Sequence, residues 1–223
     1  MTEQLSLIGG GSLSREEGLD RLQALAGRDL RPLADEYGIT VFREGRLNKG
    51  WAGQVVERYL GRSPNSDRGA DFGDWELKAV PVTFGADGAP RVKESMAIAM
   101  FTEKDLESQP FESSHMLEKL HRLVVVARTY EGPGAESSTV LGGVPFDLSD
   151  PEIYRQVRED YEEARWVVRE QGAFALEGRI GKLVQPRVKG SGGGLTQGHC
   201  FYARSQFVGF ILGLGPNPLS DER

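Results

Sequence analysis

The chain has one cysteine, Cys200, and three histidines, His115, His121 and His199. A single thiol excludes an internal disulfide and a cysteine-based zinc site, and the histidines lack a compact ligand spacing. Cys200 is therefore read as a packed core thiol. Long hydrophobic runs are also missing. Nothing approaches the roughly 20 apolar residues needed to span a bilayer, so no membrane role is expected. The opening MTEQLSLIGGGSLSREEG has no basic leader and no continuous apolar stretch, does not read as a signal peptide, and gives an expected cytoplasmic location. Positive charge is in short supply: the net charge of −6 argues against indiscriminate coating of nucleic acid, which exchanges phosphate counterions for Lys and Arg. The deficit is uneven. Residues 174–213 carry Arg179, Lys182, Arg187, Lys189 and Arg204 against Glu177, a local +4 that leaves −10 for the rest. An anionic partner near the C-terminal part fits that asymmetry about as well as chance clustering on a solvated face.

What is present is enough for one generous domain: 223 residues, 39% hydrophobic and 27% charged. Ser14-Arg15-Glu16-Glu17 has the form of a capping box, followed by Leu19, Leu22 and Leu25 at helical spacing and Gly27 as a stop. A short helix is predicted from Pro32 to Tyr37. Another is predicted over NKGWAGQVVERYLG, capped by Asn48 and ended by Gly61. Gly50, Gly53 and Glu57 share one stripe of that helix, where either a neighbouring strand or a ligand could approach closely. Strands are expected over 75–82, over 92–101 antiparallel to it, and over 123–127, buried on both faces. A helix over SSHMLEKLHR separates the last two. A long helix follows Asp150-Pro151, with Ile153, Val157, Tyr161, Ala164 and Val168 as its core stripe and Gly172 as its end. Residues 131–138 read as a surface loop, 182–188 as a strand, and GSGGG at 190–194 as a flexible link. FYARSQFVGFILG reads as a strand running into a final helix, and the tail from Gly215 as disordered. Strand, strand, helix, strand is an α/β core.

Within this frame DFGDWELKAVPV, residues 71–82, is the informative stretch. It places Glu76 and Lys78 two apart in a run that reads as a buried strand, and both are costly to bury unless paired or bound to something. Alternation puts them on one face, opposite Leu77 and Ala79, so one face is expected to be core and the other chemistry. Phosphodiester hydrolysis needs a divalent cation and an activated water, and Mg²⁺ takes a few carboxylates while keeping several waters. Asp71 and Glu76, a third acid from a helix, and a lysine would supply such a site, although an exposed strand using Glu and Lys for solubility is commoner.

The succession KGWAGQVVERYLG, DFGDWELKAVPV, SSHMLEKLHRLVVV, LVQPRVK and CFYARSQF resembles the MutH family of mismatch-repair endonucleases and the related GATC-cutting type II restriction enzymes. The resemblance covers about residues 15–213. It implies a PD-(D/E)xK nuclease: an α/β, restriction-endonuclease-like fold with a mixed central sheet flanked by helices, a catalytic lobe over about 14–130 and a DNA-recognition lobe over about 131–214. It also implies roles. Asp71 and Glu76, with the Leu77 carbonyl and Glu57, would be metal ligands. Lys78 would orient the water, Lys119 would lie near the scissile phosphate and Lys49 would support it. Arg187, Lys189, Tyr202 and Arg204 would reach the DNA, with Arg187 reading bases and Tyr202 sensing adenine methylation. A longer spacer in the family leaves Asp74 and Asp67 as alternatives to Asp71. The strand KESMAIA lacks the aromatic residue the family tends to place near its middle. Mg²⁺, with Mn²⁺ as a substitute, is the implied cofactor. Double-stranded DNA and a MutL-type activator are the implied partners of a monomer or DNA-induced dimer. The competing expectations are a double-strand-cutting restriction enzyme, a DNA-binding module without catalysis, and a small-ligand enzyme using Glu76 and Lys78 as an ion pair.

Overall fold

The computed structural model describes residues 13–62, 69–132, 134, 137–189 and 198–220. Ser14 caps α1 (Arg15–Leu25) through the expected capping box, its hydroxyl accepting the Glu17 N–H while the Glu17 carboxylate accepts the Ser14 N–H. Asp29 accepts the Arg31 N–H and so starts α2 (Leu30–Glu36) two residues before the predicted Pro32. An unpredicted hairpin follows, β1 (Phe42–Arg43) and β2 (Arg46–Leu47), turning through Glu44 and Gly45, which both have positive φ. In α3 (Trp51–Tyr59) the predicted cap is displaced: Gly50 holds the cap position, and Asn48 instead accepts the Gly50 N–H at 3.2 Å in a turn ahead of the helix.

The first sheet is built from β3 (Glu76–Phe84) and β4 (Pro90–Val92), paired antiparallel. The predicted strand 92–101 is in fact two. The Lys93 N–H still donates to the Pro81 carbonyl at 3.0 Å, but the chain then leaves the sheet, and β5 (Met96–Phe101) joins another one. An unpredicted helix, α4 (Glu103–Ser108), follows; Thr102 and Asp105 form its capping box. Ser114 caps α5 (His115–Leu120), which leads into β6 (Arg122–Thr129). β6 runs parallel to β3, and β7 (Val140–Asp147) closes the sheet antiparallel to β6, for an order β4-β3-β6-β7. Leu123, Val124, Val125 and Val126 are fully buried, as expected of a central strand. The Leu123 and Val125 face packs one core with α5 and α6, and the Val124 and Val126 face packs a second core with α1, α2 and α3.

Asp150 accepts the N–H groups of Glu152 and Ile153 to cap α6 (Pro151–Gln171). β8 (Val184–Lys189) and β9 (Gly198–Ala203) complete a second, antiparallel sheet of order β5-β9-β8, and α7 (Ser205–Ile211) follows. The two sheets do not divide at residue 130: β5 lies before it and β7 after it. Cys200 is buried in β9. The predicted disordered tail is ordered as far as Ser220, because Asn217 accepts the Leu219 N–H at 2.9 Å and Leu219 packs on the core. The GSGGG link lies outside the described residues, as does part of the 131–138 loop. A mixed sheet flanked by helices is the restriction-endonuclease-like architecture that the resemblance implies.

Candidate active site

The turn before β3 sets the site. The Phe72 N–H donates to the Trp75 carbonyl at 3.0 Å, and their rings stack with centroids 4.2 Å apart. Gly18 of α1 makes room for the indole, since a Cβ there would stand 2.8 Å from it. That anchored turn brings Asp71 back onto the head of β3. The Asp71 N–H donates to Glu76 Oε2 at 3.1 Å, and the Leu77 N–H donates to Asp71 Oδ2 at 3.3 Å. The two carboxylates are thus tied to one another through the main chain.

Glu76 is only 1% exposed. It takes the Lys78 ammonium from two residues along the strand, and the Lys119 ammonium from α5 at 3.1 and 3.2 Å to its two oxygens. The expectation of one core face and one chemical face needs correcting here. Lys78 is followed on the same face by Val80 and Val82, both in the core, so that face carries chemistry only at its head. Glu57 arrives from α3. Burial pushes its carboxyl up, Asp71 and Glu76 push the same way, and Arg62 and Lys78 pull it down. Arg62 was not foreseen at all; its guanidinium pairs with Asp71. Glu57, Asp71, Glu76, Lys78 and Lys119 therefore come together from α3, the turn, β3 and α5.

Of the two alternatives to Asp71, one can be placed. Asp74 is exposed and pairs with Arg122 at the start of β6, and Asp67 lies outside the described residues. Lys49 is exposed in the turn before α3. On the glycine stripe of α3 a Cβ on Gly50 would be in ordinary contact with Asn48 and Gln54, while one on Gly53 would meet nothing within 4 Å among the described residues.

Among the described residues no three carboxylate, imidazole or thiolate groups converge to hold a metal ion. The donor chemistry fits Mg²⁺ all the same, because that ion is usually held by one or two carboxylates with water and substrate phosphate completing its shell. Asp71 and Glu76, with the main chain at Leu77, are such a set.

Arg187, Lys189 and Tyr202 stand on the second sheet, and Arg204 holds the cap position of α7 just after it. Arg187 is exposed on β8, its guanidinium 5.7 Å from the ring centroid of Tyr202 on β9. Burial pushes the Tyr202 hydroxyl up. Lys189 is the last residue of β8. Arg204 braces the main chain: Nε and Nη2 donate to the Gly181 carbonyl at 3.0 and 2.8 Å, and Nη2 also reaches the Gly178 and Ile180 carbonyls. Its charge is spent on the chain leading into β8. Asp160 of α6, 1% exposed, completes that brace by accepting the N–H groups of Lys182, Leu183 and Val184 at 2.7–2.8 Å. Its position between Val157 and Ala164 on the buried stripe was a readable signal, since an acid there needs donors. Gln185 was missed too. It is paired in register with Tyr202, buried, and its Oε1 has no hydrogen-bond partner.

The family model described as DNA mismatch repair enzyme MutH matches residues 60–141. Among curated relatives, the DNA mismatch repair protein MutH of Vibrio cholerae serotype O1 (strain ATCC 39541 / Classical Ogawa 395 / O395) is 30% identical over 217 residues, covering 89% of this chain and 95% of the relative. The protein of that name from Vibrio parahaemolyticus serotype O3:K6 (strain RIMD 2210633) is also 30% identical over 217 residues, covering 89% and 93%. That from Haemophilus influenzae (strain PittEE) is 29% identical over 216 residues, covering 88% and 93%. With the head of β3 built as described and likeness running along nearly the whole chain, the chain belongs to the MutH family.

Proposed function

We propose that the protein is a Mg²⁺-dependent DNA endonuclease that hydrolyses a phosphodiester at GATC or a related palindrome, nicking one strand in mismatch repair on activation by a MutL-type partner. The observation that carries the reading is the pairing of buried Glu76 with both Lys78 and Lys119 beside Asp71. Solubility does not require an acid and two ammonium groups at a strand head with the acid out of water.

Asp71 and Glu76, with the Leu77 main chain, would hold the metal. When bound, it would supply neutralisation of the scissile phosphate and a more acidic water. Lys78, next to Glu76, would hold and orient that water. Lys119, reaching in from α5, would meet a phosphate oxygen. Glu57 would help set the charge of the site, its carboxyl already pushed up by burial. The exposed Arg187 would read a guanine edge, for which a bidentate guanidinium is the commonest specific partner. The open space at Gly53 would let the DNA backbone pass close to α3, with Lys49 in the turn before it.

Supercoiled plasmid carrying GATC in unmethylated, hemimethylated and fully methylated form, incubated with Mg²⁺ and with or without a MutL-type protein, tests this reading. Open-circle product from unmethylated and hemimethylated DNA, stimulated by the activator, is expected. Linear product at every site would replace strand nicking with restriction. No cleavage under any condition, with binding retained, would leave a DNA-binding module.

A further inference from the structure

Of the three cations in the cluster, Lys78 and Lys119 belong to Glu76. Arg62 differs. Its main-chain N–H donates to the Glu57 carbonyl at 2.9 Å, so the chain leaving α3 through Gly61 carries its guanidinium to a fixed place. There it donates to Asp71 Oδ1, both side chains being 12–13% exposed, and lies 5.8 Å from the centroid of the Phe72 ring. Asp71's other oxygen is taken by the Leu77 N–H. Among the described residues the cluster thus holds three acids, Glu57, Asp71 and Glu76, against Arg62, Lys78 and Lys119. Asp71 has no oxygen left unengaged. The mechanism above gives each lysine a task and gives Arg62 none.

We infer that Arg62 is a built-in counter-ion of Asp71 that competes with the divalent cation, so that the site loads metal weakly until DNA arrives. The inference rests on the nuclease reading. A carboxylate oxygen in a close, charge-assisted bond to a guanidinium cannot serve a metal ion without losing that bond. Adding a dication to the site also puts Arg62 beside a like charge. A DNA phosphate offers the displaced guanidinium a new partner of the same kind, because planar guanidinium groups bind carboxylates and phosphates through the same fork. Metal loading and DNA binding are then coupled through one side chain, and by linkage each favours the other. An enzyme so built would keep its hydrolytic site discharged away from DNA.

Calorimetric titration of the full chain with Mn²⁺, with and without a GATC duplex, tests this, and the binding itself is the readout. Without DNA, Arg62→Gln is expected to bind Mn²⁺ about tenfold more tightly than the parent, the size expected for removing a part-buried charge-assisted competitor. Arg62→Lys, which keeps the charge but loses the fork, should fall between and serves if the glutamine variant folds poorly. The gain in Mn²⁺ affinity on adding DNA should shrink in Arg62→Gln. Unchanged or weaker Mn²⁺ binding in both variants, with Glu76→Gln abolishing the parent's binding, would overturn the role of Arg62 and leave the metal site standing. Equal Mn²⁺ binding by the parent and Glu76→Gln in the presence of DNA would instead remove the metal site, and this inference with it.

Discussion

At the head of β3 side chains hold side chains: Glu76 takes Lys78 and Lys119, and Asp71 takes Arg62. On the second sheet side chains hold the main chain, with Asp160 gathering three consecutive N–H groups and Arg204 three carbonyls just before β8. On the proposed function the difference follows from what each region would present. A hydrolytic site needs charges at fixed places, and buried ion pairs with mutual hydrogen bonds fix them. A reading face needs a rigid rail carrying a side chain that can turn. β8 is pinned at its start, while Arg187 rests on the Tyr202 ring through a contact of only about 1 kcal/mol at an exposed site. Removing a charge should therefore break the first region electrically, and removing a brace should break the second mechanically.

The largest effect is expected at Glu76. Glu76→Gln keeps the volume but faces two ammonium groups with an amide. Taking one partner from a buried ionic cluster costs about 3 kcal/mol, less whatever water screens at the two partly exposed lysines. Cleavage should fall by at least about a hundredfold, since placement of the metal, water and lysine fails together. Urea unfolding and plasmid cleavage measure the two quantities. Cleavage within a few-fold of the parent would dissolve the contrast between the regions.

Asp160→Ala comes next, and its signature should differ. Three N–H groups, two of them buried, lose their acceptor, a loss of about 2–4 kcal/mol in stability. In a variant still folded at assay temperature, discrimination between cognate and random duplexes should drop more than the cleavage rate at saturating DNA, because β8 loosens while the β3 cluster is untouched. Equal losses in both would make Asp160 a general core residue and erase the mechanical reading of the second sheet. Arg187→Ala should cost about 1–3 kcal/mol of cognate preference with unfolding unchanged. Equal loss of binding on cognate and random duplexes would take base reading away from Arg187.

How far each region could be read in the sequence tracks the same contrast. The charges of Glu76 and Lys78 stood out because they conflict with an apolar strand run, Asp71 was read beside them through the family resemblance, and the capping box at Ser14 and the apolar run 123–127 were read for local reasons. The break after Val92 was not legible. Residues 92–101 keep a strand-like composition throughout, and only tertiary pairing assigns β4 to one sheet and β5 to the other. Strand composition says what face a residue fits, not which neighbour it meets. β7 was missed because Gly142, Gly143 and Pro145 depress strand propensity, although Gly143 is needed where Leu22 of α1 packs: a Cβ there would come within 3.0 Å of it. Basic composition gave no sign that the Arg204 guanidinium would face carbonyls of its own chain. Arg62 sat in a polar turn, and nothing in its local sequence pointed at Asp71.

The smallest effect asks whether the side-chain economy of the first region extends to its edge. Arg15 of α1 reaches Asp147 at the end of β7 with bonds of 2.6 and 3.0 Å, Asp147 being largely exposed. The Arg15 hydrogen bond holds the Asp147 carboxyl below its usual range, helped by the charges of Arg15, Arg122 and His121. With the folded value depressed below the unfolded one, near 3.9, the pair's contribution is present above about pH 4 and is lost as pH falls through the folded value. Solvent screens an exposed pair, so Asp147→Asn should cost only about 0.5 kcal/mol at pH 7. Its diagnostic is the slope. Stability measured by urea unfolding should fall less steeply with acid in Asp147→Asn than in the parent, and the two curves should converge at the acid pH where the parent's folded carboxyl takes up its proton. Parallel curves down to that pH would show that Asp147 titrates alike in the folded and unfolded chains. The contact with Arg15 would then be geometry without energy, and the ion-pair economy would be confined to the head of β3.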